Sequence, residues 1–440
     1  MLRPVKSAAA VWVLVLAACG GGGSGGAPDA AATPDAGPVA DPSRDILSTG
    51  LEVDVSTRHG TATIALAGSD SGGATFEVGD LTIDDVRGPD GEPLPWRTAD
   101  GLIDVGVPVT TDAVSLAIDY DYQIHDNFDG AMSTGLTLLW PYYCGNLFPC
   151  KSDPADGLTF SLSLTGVDSA STAVYPATID ADSPSYMIAW AIGDYTYQQL
   201  GTTTAGTKVG VWYLPGGDTA ATSGTAHLRD VFDWYETNLG PYSFGDEVAS
   251  VAAPWGAGAL GGMEHHPFWH VATGAMASQE VHAHEAAHGW YGDGVRIACW
   301  EDFVLSEGTV SYLAARSLEA VAGTTVSDAI WLSYSRRLSR VTMLPAWPDS
   351  CNQIDILGDN LFTDAPYMKG AYFYLALERK IGRPALDAAL SSFYMSHVGK
   401  AARMQDLLDH IASETGYDPT ACAVSWLRTM PPPATDSTCQ

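Results

Sequence analysis

The pentad His284-Glu285-Ala286-Ala287-His288, with Glu307 downstream, has the residue types and spacing of a hydrolytic metal centre. In a helix, side chains four positions apart share a face about one turn apart, so His284 and His288 can grip one ion. Zinc suits such a pair, and a catalytic zinc takes three protein ligands and keeps a fourth position open. Glu285 lies between the histidines, where it can take a proton from a water beside the metal. Eighteen residues separate His288 from Glu307, a distance suited to a second helix returning to the first. The expected ligand set is His284, His288 and Glu307, holding one zinc ion per chain. The pentad alone also occurs on solvated helix faces, so the downstream carboxylate carries weight.

The surrounding residues strengthen the assignment. Residues 284–312 read HEAAHGWYGDGVRIACWEDFVLSEGTVSY and resemble the aminopeptidase N family of zinc metallopeptidases, relatives of leukotriene hydrolase. Trp290, Asp302 and Phe303 fall at family positions, whereas Ser306 stands where the family usually has Asn. Gly261-Gly262-Met263-Glu264 resembles the exopeptidase motif, with His265 replacing its final Asn. The resemblance implies that Glu264 binds the substrate's free α-amino group and that the backbone before it pairs with an extended peptide like an edge strand. It also puts His265 beside the substrate. A carboxylate next to a metal cleft would in any case hold an ammonium through charge-assisted hydrogen bonds.

Pro366-Tyr367-Met368-Lys369-Gly370 resembles the segment whose Tyr donates a hydrogen bond to the oxyanion. A phenol is neutral at working pH and a good donor. Tyr367 is therefore expected in that role, while Tyr372 and Tyr374 have the helical spacing of packing residues. The likeness continues upstream, through Phe148-Pro149-Cys150 with Asp153-Pro154-Ala155 and through the expected strand 185–194, and covers roughly residues 45–430. In relatives a Gln upstream of the first of these helps hold the substrate amine. Its place here falls near Trp140, which offers only a π face. Residues 266, 270 and 282 add three more histidines to a segment holding six of the eleven, but without clean ligand spacing they remain unassigned.

These residues need a scaffold. Residues 45–215 alternate with period two, as in Thr61–Leu66 and Val114–Ile118, with turns such as Gly88-Pro89-Asp90-Gly91 between the runs. From about residue 225 the period becomes helical, over His227–Thr237, Gln279–Trp290, Thr309–Ala322, Lys369–Ile381 and Met404–Glu414. The fold class read from this is α+β. An antiparallel β domain spans 45–215, saddle-like by the resemblance, and a mainly helical catalytic domain spans 216–440, thermolysin-like by the same resemblance. The large C-terminal helical domain of many relatives is expected to be missing.

Residues 1–18 have Arg3 and Lys6, a short apolar run and the ending Leu16-Ala17-Ala18-Cys19, which reads as a lipoprotein export signal cleaved before Cys19. An ordinary signal peptide is the plainer alternative. Residues 19–44 read as the lipidated Cys and a Gly/Ala/Pro/Asp tether. Membrane contact is thus expected only through the lipid on Cys19, in the cell envelope of a bacterium, with the outer membrane or cell surface favoured over the inner membrane. The six remaining cysteines favour disulfides. Sequence proximity suggests 144–150, 299–351 and 422–439, out of fifteen possible pairings. The chain has 52 acidic residues against 21 Lys and Arg, a net charge of −31. So acidic a surface argues against nucleic-acid partners and against docking on anionic lipid.

The expected activity is release of N-terminal amino acids from peptide or protein substrates. A zinc endopeptidase that has lost N-terminus recognition is the first alternative, motivated by the missing Gln and Asn. A non-catalytic surface protein that binds peptides is the second, disfavoured by the intact ligand set.

Overall fold

The alternation of the N-terminal half becomes a sheet whose strands run Thr178–Ser183, Leu158–Thr165, Ile46–Asp54, His59–Leu66, Val114–Asp121 and Thr82–Arg87 in spatial order. Leu51, Val53, Ala62, Ile64, Leu66, Leu116, Ile118 and Tyr120 are buried on one face, as the period-two pattern requires. Ile46–Asp54 pairs in parallel with Leu158–Thr165, whereas its neighbours pair antiparallel, so the sheet is mixed where the sequence suggests a purely antiparallel one. A three-stranded sheet of Gly73–Glu77, Leu102–Gly106 and Trp96–Ala99 adds a smaller layer. This is a computed structural model, and it describes residues 37–126, 128–139, 143–256, 261–351, 362–433 and 439. The export signal, most of the tether and the position of Trp140 lie outside the described residues. No helix among the described residues is long and apolar enough to cross a membrane.

A second sheet of five strands supports the site. Its order is Thr196–Thr202, Lys208–Tyr213, Glu247–Ala253, Phe268–Ala272 and Gly262–Met263. This sheet begins upstream of residue 215 and recruits residues beyond 225, where the sequence periodicity shows only helices. Apolar runs such as Val248–Ala253 are buried throughout and carry no alternation to read. Gly262–Met263 lies at the sheet edge, antiparallel to Phe268–Ala272.

The helices follow as α1 (Asp218–Gly224), α2 (Leu228–Asn238), α3 (Gln279–Ala287), α4 (Phe303–Ala322), α5 (Thr324–Leu338), α6 (Asp364–Ile381), α7 (Arg383–His397), α8 (Met404–Thr415) and α9 (Thr420–Ala423). Helix α3 starts at Ser278, whose hydroxyl caps the Val281 amide. Helix α4 is buried on every face from Phe303 through Leu318. Its polar residues are therefore paired: Arg316 contacts Glu378 at 3.3 Å and Asp387 at 3.0 Å. Asp302, just before α4, accepts from Trp347 Nε1 at 2.9 Å and from Arg403, which fixes where the helix begins.

Helices α4 and α6 cross at two glycines. A Cβ on Gly308 would lie 2.7 Å from the Gly370 Cα, so no other residue permits this approach without a shift of backbone. Gly308 follows Glu307, and Gly370 lies three residues after Tyr367. The crossing thus sets those two side chains over the same space. Three disulfides close the chain at Cys144–Cys150, Cys299–Cys351 and Cys422–Cys439, the pairings that sequence proximity suggests. From Gly37 onward the β-rich and helical parts pack into one compact unit.

Candidate metal centre and peptide cleft

Helices α3 and α4 bring His284, His288 and Glu307 together. The Nε2 atoms of the two histidines lie 3.3 Å apart, and Glu307 Oε2 lies 3.0 Å from His284 Nε2 and 3.6 Å from His288 Nε2. A tetrahedral zinc with bonds of about 2.0–2.1 Å spaces its ligand atoms by roughly 3.3 Å, so these three atoms fit one ion. His288 Nδ1 donates to the Tyr291 carbonyl at 3.0 Å, with Ser306 Oγ 3.3 Å from the same nitrogen. That hydrogen bond leaves the Nε2 lone pair for a metal.

The electrostatics also call for a cation. Burial works against charge on His288, yet Glu264, Glu307 and Glu285 outweigh it and push its pKa up to about 10. Burial likewise opposes ionisation of Glu307, but His288 and His284 hold its pKa down at about 2. A buried pocket that retains positive charge this strongly is well matched by a divalent ion.

Glu285 faces the same space and is almost wholly buried, at 5 % exposure. Burial, reinforced by Glu264 and Glu307, pushes its carboxyl pKa well up, the direction a general base requires. A Cβ on Gly262 would lie 2.5 Å from Glu285 Oε1, so any larger residue there would displace the carboxylate of the base. Glu264 sits at the end of that strand. One of its carboxylate oxygens lies within 4.8 Å of ligand atoms of both Glu285 and His288. Its pKa is raised, chiefly by burial. Behind it, Tyr186 comes from the β-rich part and donates to Asp293 Oδ1 at 3.4 Å while facing Glu264.

Tyr367 closes the other side. Its ring stacks on His284 with centroids 5.9 Å apart, and burial with Glu307 nearby pushes the phenol pKa well up, keeping it a neutral donor. Tyr372 instead donates to the Trp331 carbonyl, and Tyr374 meets Thr309 Oγ1. The cleft formed has a volume of about 420 Å³. Gly261, Gly262, Met263, Glu264, His284, Glu285, His288, Glu307 and Tyr367 all line it.

His265 does not. It is buried away from the cleft, its Nδ1 3.2 Å from His270 Nδ1 and its ring packed edge-on against His270. The position beside the substrate expected for it is therefore not where the fold puts its side chain. The strand ends at Met263 and the backbone turns there, with the His265 amide donating to the Met263 carbonyl at 2.9 Å, so the His265 side chain leaves the cleft. The other two unassigned loop histidines, His266 and His270, with His282 on α3, are buried too and pair with Tyr242, His265 and Ser250 respectively.

Sequence reasoning missed Glu280, Arg337 and Asp364, which line the same cleft beyond the metal ligands. Glu280 had a legible signal, since it lies four residues before His284 and so shares its helix face. Arg337 and Asp364 had none, because they come from separate helices.

An HExxH helix and a glutamate from the next helix thus meet in a helical part beside a β-rich part, a ligand set suited to a hydrolytic zinc ion. Residues 270–427 match the Peptidase family M1 domain. The chain is similar to the leukotriene A-4 hydrolase homolog of Botryotinia fuckeliana, 28 % identical over 268 residues, covering 58 % of this chain and 41 % of that protein. It is also similar to leucine aminopeptidase 2 of Aspergillus niger, 26 % identical over 390 residues, covering 74 % and 58 %. The chain spans about half the length of these curated relatives. Among solved structures, the M1 zinc metallopeptidase of Deinococcus radiodurans matches with a TM-score of 0.74 at 19 % identity, covering 89 % of this chain and 96 % of that one. A mutant of that enzyme bound to a Tyr-Ser-Ala substrate matches with a TM-score of 0.71 at 20 % identity, covering 88 % and 95 %.

Proposed function

We propose that the chain is a zinc-dependent aminopeptidase that removes residues from the free N-termini of peptides. The observation that carries this reading is Glu264, a buried carboxylate at the end of an edge strand, beside both Glu285 and the metal ligand His288. An extended peptide adding to that edge would bring its first backbone amine to Glu264 and its first peptide bond to the ligands. Relatives named leucine aminopeptidase support the same reaction.

His284, His288 and Glu307 would hold the zinc, which when bound supplies a Lewis acid for the scissile carbonyl and lowers the pKa of a water in its open position. Glu285 takes the proton of the attacking water and later hands it to the leaving amine. Tyr367 donates its phenol hydrogen to the oxygen that becomes negative. Glu264 fixes the register by holding the α-ammonium. Gly262 keeps the strand close enough for all three to act on one bond.

A peptide with a free N-terminus, compared with its acetylated twin in the presence and absence of a chelator, tests the reading. Chelator-sensitive release of the first residue from the free peptide alone is the expected outcome. Internal cleavage of both would make the protein an endopeptidase, the outcome motivated by the missing Asn and Gln. Binding of both without cleavage would favour a peptide-binding protein.

The Leu16-Ala17-Ala18-Cys19 sequence and three extracytoplasmic-type disulfides support export and lipid attachment at Cys19. Replacing Cys19 with Ala is expected to move the protein from the membrane fraction to the soluble fraction of a bacterial host.

A further inference from the structure

The cleft continues past the metal ligands in the direction a peptide would leave. Glu264 lies beside His288, near the C-terminal end of α3. Glu280 lies in the first turn of the same helix, four residues before His284 and on the same face. A peptide running from Glu264 across the ligands therefore travels toward Glu280. One helical turn is about 5.4 Å, and an extended chain advances about 3.3–3.6 Å per residue, so the residue after the scissile bond comes level with Glu280.

The walls at that level are charged. Glu280 Oε1 accepts from the Tyr334 hydroxyl at 2.9 Å, and the described residues give Oε2 no hydrogen-bond partner. Arg337, one turn of α5 beyond Tyr334 and over its ring, meets Asp364 Oδ1 with Nη2 at 2.6 Å and Nε at 2.8 Å. Burial disfavours charge on Arg337, but Asp364 and Glu280 outweigh it and raise its pKa, so the guanidinium stays ionised. Among the described residues it neutralises one of the two carboxylates and leaves this end one negative charge in excess. At the amine end, two zinc charges and the substrate ammonium would balance Glu264, Glu285 and Glu307. The uncompensated charge thus falls at the second residue of the substrate. Val281 and Phe362 also line the cleft and offer apolar surface along which a long aliphatic stem can lie.

We propose that Glu280, which lines the cleft together with the Arg337–Asp364 pair, selects peptides whose second residue has a basic side chain, lysine or arginine. The inference rests on the aminopeptidase reading and adds the substrate class to it. The net charge of −31 would steer such cationic peptides toward the protein.

The test compares Leu-Lys-Ala, Leu-Leu-Ala and Leu-Glu-Ala with zinc-loaded protein, using leucine 4-nitroanilide as a substrate that has no second residue. The wild type is expected to favour the lysine peptide over the glutamate peptide by on the order of tenfold in kcat/KM. Glu280→Gln is expected to bring that ratio close to unity, and Glu280→Lys to invert it. The ratio is the readout, so a general loss of activity in either variant does not mimic the result. If Glu280 served only to anchor Tyr334, the glutamine variant could still accept that hydrogen bond and the ratio would persist. An unchanged ratio, or a wild type indifferent to the second residue, overturns the proposal. If the nitroanilide and all peptides resist cleavage, the aminopeptidase reading fails. Calorimetric binding of the three peptides to a zinc-loaded Glu285→Gln variant then still reads the charge preference.

Discussion

Six histidines between positions 265 and 288 fall into two groups with opposite electrostatics. His288, with His284 beside it, stands among Glu264, Glu285 and Glu307, and its pKa is driven up to about 10 despite burial. His265, His266, His270 and His282 are equally buried, but no carboxylate faces them closely enough to compensate. Burial, the largest cause in each case, takes His266 and His270 down to about 3 and His282 to about 4, with His265 also well below its ordinary value. The first group is a cation trap and the second is neutral core. Burial is common to both, so neighbouring carboxylates make the difference.

The sharpest way to break this comparison is to remove the trap's charge. Glu307→Gln takes away the negative ligand, and the variant is expected to lose bound zinc in elemental analysis together with all measurable peptidase activity. Glu285→Gln should behave differently. It keeps the three ligands, so zinc content should match the wild type while kcat falls by about 10²–10⁴-fold. Tyr367→Phe removes only the oxyanion donor, and kcat is expected to drop by about 10²–10³-fold with little change in KM.

A fourth outcome concerns the scaffold. Gly308→Ala forces a methyl group against the Gly370 backbone, and a cost of about 1–3 kcal/mol is expected from overpacking. Thermal unfolding would record it as a lower Tm, and retained zinc would separate this from damage to the ligands. The smallest effect belongs to the neutral group. Histidines with folded pKa values near 3 to 4 and unfolded values near 6.5 bind more protons when unfolded. Their contribution is therefore complete above about pH 6.5 and is lost as the pH falls toward 3. Tm should decline over that window, and His270→Gln should make the decline shallower by one proton's share. A Tm that did not respond to pH there would contradict the neutral core.

Much of the site was legible because its parts are local. The i, i+4 spacing of His284 and His288 fixes a shared helix face wherever the helix goes. Glu264 and Tyr367 stand in short motifs whose chemistry can be read in place. The failures have a common cause. His265 was expected beside the substrate, but the turn that follows the edge strand at Met263 directs it into the core. The strands Lys208–Tyr213, Glu247–Ala253 and Phe268–Ala272 join one sheet through non-local parallel pairing, which leaves no periodic trace in a doubly buried run such as Val248–Ala253. Helices α5 and α7 were not read, since α5 opens on Thr324-Thr325-Val326 and α7 on Arg383-Pro384 directly after Gly382, residues that mark turns and strands as readily as helix starts.

The sequence by itself pointed to the metal-binding pair, its base, the third ligand and the β-then-α order, because each is read from spacing along the chain, while for the disulfides it offered only proximity among fifteen pairings. Only the tertiary structure decided which carboxylates gather around His288, how closely α4 passes α6, and that Glu280, Arg337 and Asp364 line one cleft. Those relations join helices far apart in the chain. Electrostatics and packing depend on distance in space, which local spacing does not encode.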